Sequence, residues 1–435
     1  MKHLLWFRSD LRVDDHPALN AAQAAGGEII ALYALTPKTW QSHEAAECKI
    51  DFIKRNLEAL ALALAALNIQ LYIEDMDSYD LVPEKLLAFC QQHQVSHLYF
   101  NVQYEIDEQR RDQKVQALCE KNRMMMCCYH EQIFVQPGMI LSEKNQPFQK
   151  FSAFKRRWLI FADRLGLPDL PEFDLRARMI QETVFWPAGE GEAWQRLQIF
   201  LDQKAGEYDQ WRDFPAKQGT SHLSPYLAQG VLSIRRVLME LHRAAGTYSF
   251  SELIASPGYG VWLNELIWRE FYKHIIFLFP KLACGQTLQA KFKVWTWRQD
   301  HGQFQRWCDG QTGYPLIDAA MRQLNQTGWM HNRLRMNVAV FLAKFLKIDW
   351  RWGESYFARH LIDGDLAANN GGWQWCAGTG TDAMPYFRIF NPTLQAQKFD
   401  PEGVFIRQYC PELSHLSVKA IHLPQPHALA KYHES

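Results

Sequence analysis

The sequence predicts an α/β domain built on a doubly wound parallel sheet, followed by an all-α domain. Over the first 130 residues, short apolar runs alternate with segments of helical periodicity, which is typical of parallel strands joined by right-handed helical crossovers. After about residue 191 the strand signal ends and long helical patterns follow. We therefore expect one domain at 1–130, a connector at 131–190 and a helical domain at 191–435.

The strands of the first domain are predicted from four apolar runs, at residues 3–7, 28–35, 69–74 and 96–102. Stretches with helical spacing predict helices at 17–25, 44–67, 81–92 and 105–120. The domain lacks the GxGxxG and P-loop fingerprints of nucleotide-binding sites. Its fold alone therefore indicates no function.

The second half of the chain is predicted to be helical. The connector holds a cluster of proline and acidic residues at 167–174, which is typical of an irregular segment. Beyond the connector, helices are predicted at 251–279, 314–325, 331–346 and 352–363.

Composition narrows the class of protein. Hydrophobic residues make up 48% and charged residues 22% of the 435 residues, which is ordinary for a globular protein and argues against a disordered chain. No apolar run is long enough to span a membrane, and the charged residues between Arg8 and Asp15 are unlike a signal peptide. The nine cysteines form no CxxC pair, so we expect a reduced, cytoplasmic protein without a metal site.

Charge and tryptophan are distributed unevenly along the chain. Residues 1–189 carry 21 basic and 25 acidic side chains, whereas residues 190–435 carry 26 and 22. A polyanion is therefore expected to bind the second half. Most of the 16 tryptophans also lie after residue 185. Tryptophan stacks well on planar groups, but a tryptophan-rich core explains the number equally well.

The first candidate site lies in the segment 258–273. On a helix, Trp262, Glu265, Trp268, Arg269 and Tyr272 fall within an arc of about 120°. Aromatic walls with one acceptor and one donor suit a planar heterocyclic ligand. The alternative is a structural glutamate–arginine pair in an aromatic core.

Three further segments are candidates for chemistry. In 329–336, Arg333 and Arg335 are two residues apart, so one can face a phosphate while the other points inward, and Asn332 offers both a donor and an acceptor. A solvated basic helix is the alternative. In 363–376, two buried aspartates need a cation, for which Arg335 is a candidate. The hydroxyl-rich turn at 219–224 can cap a helix or bind a phosphate.

Five segments of the sequence closely resemble the photolyase/cryptochrome family. They are LLWFRSDLRVDDHPAL (4–19), WLNELIWREFY (262–272), TGYPLIDAAMRQLNQTGWMHNRLRM (312–336), DWRWGESYFARHLIDGDLAANNGGWQW (349–375) and PYFRIFNPTLQAQKFD (385–400). The resemblance covers nearly the whole chain and is greatest to bacterial class I cyclobutane pyrimidine dimer photolyases. It implies an α/β antenna domain, a long connector and a helical domain that binds FAD.

The resemblance also implies which side chains hold FAD. Those expected at the phosphates and ribose are Tyr208, Thr220, Ser221, His222, Leu223 and Ser224. Those expected around the rest are Trp262, Arg269, Asn332, Arg335, Asp363, Gly364, Asp365 and Asn369. Arg335 and Asp363 would form a buried ion pair, and Asn369 would lie beside the reducible ring nitrogen of the flavin. His222 stands where the family often has arginine, which predicts a weaker contact there.

The implied reaction is light-dependent repair of cyclobutane pyrimidine dimers in DNA, by electron transfer from excited reduced FAD to a flipped-out dimer. Trp268 and Trp375 would wall the dimer, Glu265 and Asn332 would hydrogen-bond the pyrimidines, and Met336 would pack against the ring carbons. The residues expected at flanking phosphates are Arg212, Arg333 and Arg388. An electron-transfer chain from the flavin to the surface would run through Trp373, Trp350 and Trp297.

The identity of an antenna chromophore, methenyltetrahydrofolate or a deazaflavin, is left open. Asp107 and Glu108 match the folate site of relatives that bind folate, but those relatives have asparagine at the first position. Cys284 stands where they have lysine. Because a cation that could pair with the folate is absent, we expect folate to bind weakly or not at all.

Other functions remain open at this point. A cryptochrome-type blue-light photoreceptor is the main alternative, although Glu265, the pocket tryptophans and Asn369 favour repair. Repair of pyrimidine–pyrimidone photoproducts uses a histidine pair, and Met336 replaces the second histidine here. An unrelated nucleotide-binding enzyme is disfavoured by the missing glycine-rich fingerprints. We expect UV-damaged DNA as the partner, no membrane association and a monomer.

Overall fold

The first part of the chain is a parallel sheet with helices on both faces. The structure is a computed structural model, and it describes residues 1–173, 184–289, 296–385 and 387–432. The strands are β1 (Lys2–Phe7), β2 (Glu28–Leu35), β3 (Gln70–Asp75), β4 (His97–Asn101) and β5 (Met125–Tyr129). They pair in the order β3-β2-β1-β4-β5, and every pair is parallel. The order reverses at β1, so the predicted doubly wound sheet is confirmed.

Helices connect these strands and continue into the middle of the chain. They are α1 (Pro17–Ala25), α2 (Pro37–Ser42), α3 (Glu47–Ala65), α4 (Val82–Gln92), α5 (Ile106–Lys121) and α6 (Phe151–Leu165).

The rest of the described chain is helical, as predicted. Its helices are α7 (Glu190–Gln203), α8 (Tyr208–Trp211), α9 (Ser224–Ala228), α10 (Ile234–Ala245), α11 (Phe250–Leu253), α12 (Pro257–Leu278), α13 (His301–Cys308), α14 (Pro315–Thr327), α15 (Asn332–Val340), α16 (Trp350–His360), α17 (Leu366–Ala377), α18 (Pro392–Phe399) and α19 (Val404–Tyr409). A π-helical turn at Phe341–Phe345 extends α15. Short 3₁₀ turns lie at Ala205–Glu207, Pro280–Cys284 and Pro411–Leu413.

The central strand explains why the predicted strands read as continuous apolar runs. Leu4 and Trp6 of β1 belong to the core on one face of the sheet, and Leu5 and Phe7 belong to the core on the other face. Successive side chains of a strand point to opposite faces, so a strand covered on both sides is apolar throughout.

Strand β5 and helix α6 are among the elements that were not predicted from the sequence. Strand β5 is rich in methionine and cysteine, which carry little strand propensity, and its pairing with β4 depends on the fold. Helix α6 lies inside the segment that we predicted to be irregular. Its buried residues Phe151, Phe154, Trp158 and Ala162 do have helical spacing.

Helix boundaries differ from the predictions where local signals interrupt the helix. The predicted helix at 44–67 begins only at Glu47, because Glu44 has a positive φ of 53°. The predicted helix at 251–279 is split into α11 and α12. The Ser256 side chain caps the second of these by accepting a hydrogen bond from the Gly260 amide, and Pro257 occupies its first turn.

The buried cores join the sheet to the helices. One apolar cluster contains Phe52 of α3, Trp158 of α6 and Phe271 of α12. A second cluster, among the C-terminal helices, contains Trp350 and Trp373. Because the first cluster spans both parts of the chain, the division at residues 130 and 190 stays a prediction. Across the described residues, no helix combines the length and apolarity that a membrane span requires.

Candidate functional site

One face of α12 carries the aromatic and charged residues predicted to share an arc. Trp262 is buried against Phe200, with ring centroids 4.7 Å apart. The ring of Trp268 stacks on Phe151 of α6, with centroids 3.6 Å apart and planes inclined by 7°. Arg269 donates hydrogen bonds to two backbone carbonyl oxygens, of Gln132 at 2.6 Å and Leu227 at 3.2 Å.

The charged groups of this face find their partners outside α12. Glu265 accepts a hydrogen bond from Arg212, with 2.8 Å between Oε1 and Nη1. The alternative of a Glu265–Arg269 pair within the helix is therefore wrong. A guanidinium that bonds carbonyl oxygens and a carboxylate that bonds another element both fix the orientation of α12.

The short segment that contains Arg212 and Asp213 contacts both α12 and α15. Arg212 pairs with Glu265 of α12, and its neighbour Asp213 accepts hydrogen bonds from Arg333 of α15 at 2.6 and 3.0 Å. Both arginine side chains remain about one-fifth exposed. Arg212 and Arg333, predicted to bind phosphates, are therefore held in position by carboxylates. The third predicted arginine, Arg388, is exposed.

Helix α15 presents different residues on different sides. Arg333 faces Asp213, whereas Arg335 donates to Asp363 at 2.8 Å and to the Met330 carbonyl oxygen at 2.8 Å. The two arginines therefore point apart, as their spacing predicts. Asn332 is exposed at the start of the helix, and Met336 is half-buried one turn later.

The loop before α17 is organised by buried charges. Asp365 caps α17 by accepting from the Ala368 amide, and it also pairs with Lys273 of α12 at 2.6 Å. Burial alone would raise the pKa of Asp365, but Lys273 and Arg269 together lower it to about 2. Asn369 donates to the backbone carbonyl oxygen of Glu354 at 3.0 Å. The Asp365 carboxylate is therefore ionised at neutral pH.

Lys49 of α3 reaches the same loop from the α/β part of the chain. Its ammonium group donates a hydrogen bond to the carbonyl oxygen of Gly364 at 2.7 Å. The loop is therefore held from both parts of the molecule.

The hydroxyl-rich turn at 219–224 lies beside Trp329 and α9. The Ser224 hydroxyl accepts from Trp329 Nε1 at 3.3 Å, and the ring of His222 packs edge-on to Trp329 with centroids 4.7 Å apart. Burial lowers the pKa of His222 to about 4. The imidazole is therefore neutral at pH 7 and offers hydrogen bonds rather than charge. Ser221 is half-buried, and Leu223 and Tyr208 are buried.

The residues expected to bind FAD include two buried oxygen atoms that are available to a ligand. Oδ1 of Asp363 and Oγ1 of Thr220 have no hydrogen-bond partner among the described residues. A buried polar atom without a partner is costly, so such atoms commonly bind a ligand or water. Gly372 of α17 also faces open space, since a Cβ there would meet nothing within 4 Å.

The three tryptophans of the predicted electron-transfer chain lie at or beside one core. Trp350 and Trp373 are buried in it and Trp297 packs against it. The glycine that makes room for Trp373 is Gly353, where a Cβ would come within 2.1 Å of the indole. Gly353 therefore lets α16 pack closely against α17.

Gly371 instead allows close packing of α12 against α17. A Cβ at this position would lie 2.2 Å from the ring of Tyr272. The packing brings the α12 residue Trp268 and the α17 residue Trp375 onto neighbouring helices.

The predicted antenna residues line a cavity of about 410 Å³ between the carboxyl end of the sheet and the helices. Asp107 pairs with His43 at 3.2 Å and with Arg110 at 3.0 Å. Glu108 accepts from the Tyr79 hydroxyl at 3.1 Å, and burial raises its pKa. Cys284 lines the same cavity.

Two residues that organise the site, Asp213 and Lys273, were not predicted from the sequence. Lys273 follows Arg269 by four residues on α12, so its helical spacing was a usable signal. Asp213 had no such signal, because its partner Arg333 is 120 residues away. In the described ranges, no group of three or more histidine, cysteine, aspartate or glutamate side chains could hold a metal ion.

The fold and the site together define a flavin-binding protein with a cavity between its α/β and helical parts. The chain belongs to the DNA photolyase family. Residues 3–173 match the family profile described as DNA photolyase, and residues 262–434 match the profile described as FAD binding domain of DNA photolyase. The expected family and the expected FAD cofactor are thereby confirmed.

Individual relatives agree with this assignment. A deoxyribodipyrimidine photo-lyase of Vibrio cholerae is 43% identical over 97% of this chain and 92% of its own length. A crystal structure of a bacterial class III photolyase from Agrobacterium tumefaciens is 32% identical, with a TM-score of 0.82 over 97% of this chain and 89% of that one. A cryptochrome structure from Synechocystis is 28% identical, with a TM-score of 0.83 over 97% and 91%.

Proposed function

We propose that this protein repairs cyclobutane pyrimidine dimers in DNA in a light-dependent reaction. The observation that carries the proposal is 43% identity to a deoxyribodipyrimidine photo-lyase over 97% of the chain. The neighbouring helices α12, α15 and α17 carry the side chains that such a reaction needs. These are Glu265, Trp268, Asn332, Met336 and Trp375.

The side chains expected to hold FAD are those whose polar groups remain available. Thr220 and Asp363 each have a buried oxygen without a partner in the described part of the chain. Arg335 and Lys273 hold Asp363 and Asp365 in place, and Lys273 and Arg269 keep Asp365 ionised by lowering its pKa to about 2. When bound, reduced FAD supplies a light-driven electron to the dimer and takes it back after the bonds have broken.

The lesion would lie between the tryptophan rings and the polar groups. A dimer stacks badly in DNA, so flipping it out costs less than flipping intact bases. Trp268, held flat by its stack on Phe151, offers a rigid apolar wall. Glu265 would accept or share a hydrogen bond with the pyrimidine edge, where negative charge develops during repair.

Binding to DNA would depend on three arginines. Arg212, Arg333 and Arg388 would contact phosphates beside the lesion, which adds affinity without sequence preference. The first two are oriented by Glu265 and Asp213, so they need little reorganisation on binding. Binding is therefore expected to weaken as salt concentration rises.

We infer that the cavity of about 410 Å³ holds an antenna chromophore. Aromatic and charged side chains both line it, which suits a planar polar ligand. Asp107 already pairs with His43 and Arg110, and Cys284 supplies no cation. These features favour a ligand other than methenyltetrahydrofolate, such as a deazaflavin. The nine free cysteines support a reducing, cytoplasmic location, and a monomer stays a prediction.

The cryptochrome alternative is supported by structural likeness alone. The experiment that separates the two functions measures dimers in irradiated DNA. Dimer content is compared after illumination with the reduced protein, after incubation with it in the dark, and after illumination without it. An absorption spectrum of the purified protein reports FAD and any antenna chromophore in the same preparation.

A further inference from the structure

Lys344 connects the end of α15 to the segment that carries Arg388. It lies in the π-helical turn Phe341–Phe345, directly after the helix that carries Asn332 and Arg333. Its ammonium nitrogen is 2.8 Å from the carbonyl oxygen of Pro385 and 3.2 Å from that of Met384. The carbonyl oxygen of Arg388 lies 3.5 Å from the same nitrogen.

These contacts use the full donor capacity of the side chain. An ammonium group has three N–H donors, and here three backbone carbonyls of one short segment surround it. Turns of π-helix are uncommon and occur frequently at functional sites. Lys344 therefore acts as a backbone anchor rather than as a free surface cation.

The anchored segment leads from α17 to the predicted phosphate contact. The Met384 amide donates to the carbonyl oxygen of Trp375 at 3.2 Å, and Met384 itself is buried. Upstream, the carboxylate of Asp382 accepts from the Phe151 amide at 3.2 Å, and Phe151 stacks on Trp268. The segment is thus fixed upstream of Arg388, while the side chain of Arg388 is exposed.

We propose that Lys344 is a positioning residue for DNA binding, which holds the backbone that carries Arg388 at the rim of the lesion pocket. The inference rests on the proposed function, because it takes Arg388 to contact DNA. It adds to that function a control by proton concentration, since the anchor depends on the charge of one ammonium group.

The surroundings of Lys344 make its charge sensitive to alkaline pH. Burial is the main cause that lowers its pKa, and the nearby Arg388 guanidinium lowers it further, to about 8. A Cys376 thiolate would raise the pKa of Lys344. Burial raises the pKa of that thiol to about 12, so the thiol stays neutral and has no such effect. Hydrogen bonds from a charged donor are roughly twice as strong as neutral ones, so deprotonation weakens the anchor.

The test measures binding of the FAD-loaded protein to an oligonucleotide with one pyrimidine dimer, in the dark, at constant ionic strength from pH 7 to 9.5. The wild-type affinity is expected to fall about fivefold over this range, as one charge-assisted hydrogen bond is lost. Lys344→Arg keeps its charge throughout and is expected to show no such fall. Lys344→Met is expected to bind weakly at every pH.

A double variant separates positioning from direct contact. If Lys344 acts through Arg388, Lys344→Met adds nothing in an Arg388→Ala background, whereas independent phosphate contacts give additive losses. Lys114→Met, which removes an exposed partner of Asp80, is the control and leaves binding unchanged.

Three results would overturn the inference. They are a pH-independent wild type, the same pH dependence in Lys344→Arg, and additive losses in the double variant. Wild-type protein that does not distinguish dimer-containing from undamaged DNA at pH 7 contradicts the proposed function as well. Circular dichroism and FAD absorbance of each variant verify that it is folded.

Discussion

Arg212 and Glu265 form an ion pair, with 2.8 Å between the guanidinium Nη1 and the carboxylate Oε1. One residue is expected to bind a phosphate and the other to bind the pyrimidine edge. Because the two side chains bond to each other, the expected contact of Arg212 with a DNA phosphate and that of Glu265 with the pyrimidine are coupled. The pair gives the proposed lesion pocket a defined shape before DNA binds, which would lower the cost of binding.

The first prediction is that Arg212 and Glu265 contribute to DNA binding cooperatively. Arg212→Ala and Glu265→Gln each break the pair, so the double variant loses less than the sum of the two. A coupling energy of about 1 kcal/mol is expected for a contact of this exposure. Binding to a dimer-containing oligonucleotide measures it. Additive losses would mean that the two side chains work independently.

The second prediction concerns two adjacent glycines of α17. Gly371→Ala places a methyl group against the ring of Tyr272, so the apoprotein should lose about 1–3 kcal/mol of unfolding free energy. Gly372→Ala, the matched control, meets no atom within 4 Å and should gain up to about 1 kcal/mol from helix propensity. Urea unfolding compares them, and equal losses would contradict the predicted packing.

The third prediction is that His274 contributes to a loss of stability in acid. Burial lowers its pKa to about 4, although the hydrogen bond between Nε2 and the Val135 carbonyl oxygen opposes this. The unfolded chain binds a proton near pH 6.5, so the unfolding free energy falls as pH drops below 6.5 and levels off near pH 4. The contribution is about 3 kcal/mol.

His274→Gln can still donate to Val135 but has no proton to gain. Urea unfolding between pH 7 and 4.5 should therefore show a shallower slope in the variant. His222 and His331, whose pKa values burial lowers to about 4 and about 3, contribute in the same direction. An unchanged slope in His274→Gln would remove this residue from the explanation.

The fourth prediction concerns electron transfer through Trp373. Trp373→Phe keeps an apolar ring but removes the easily oxidised indole, at a cost of about 1–2 kcal/mol in stability. Photoreduction of bound, oxidised FAD by an external reductant should become very slow. Repair by the chemically reduced variant should persist, because electron transfer to the dimer does not pass through this chain.

Trp307→Phe is the matched control for this experiment. Trp307 is as buried as Trp373 and lies 6.0 Å from it between ring centroids, but it is outside the predicted chain. It should keep wild-type photoreduction. A wild-type rate in Trp373→Phe with FAD fully bound would refute the assignment. Loss of repair after chemical reduction would mean that Trp373 shapes the pocket.

The sequence predicted the fold wherever burial leaves a regular pattern. Strands β1, β2 and β4 are largely buried and read as apolar runs. The edge strand β3 was visible from its apolar residues although it is mostly exposed, whereas β5 depends on its pairing with β4. The α12 face was visible because Trp262, Glu265, Trp268 and Arg269 follow the helical period.

Contacts between distant segments were not predictable from periodicity. Arg212 and Glu265 are 53 residues apart, and Asp213 and Arg333 are 120 apart. The role of Gly353 was missed for the same reason, because the indole that it accommodates lies on another helix. Such pairings depend on how the helices pack, and a single sequence carries no periodic signal for them.

Light-dependent loss of dimers tests the central claim most directly. Irradiated DNA is incubated with the chemically reduced protein under blue or near-ultraviolet light, with dark and protein-free samples beside it, and dimers are counted by a dimer-specific endonuclease assay. We predict that dimers disappear only in the illuminated sample with protein, and that Glu265→Gln slows their loss. Dimer loss no faster than in the illuminated protein-free sample would contradict the assignment of repair to this chain.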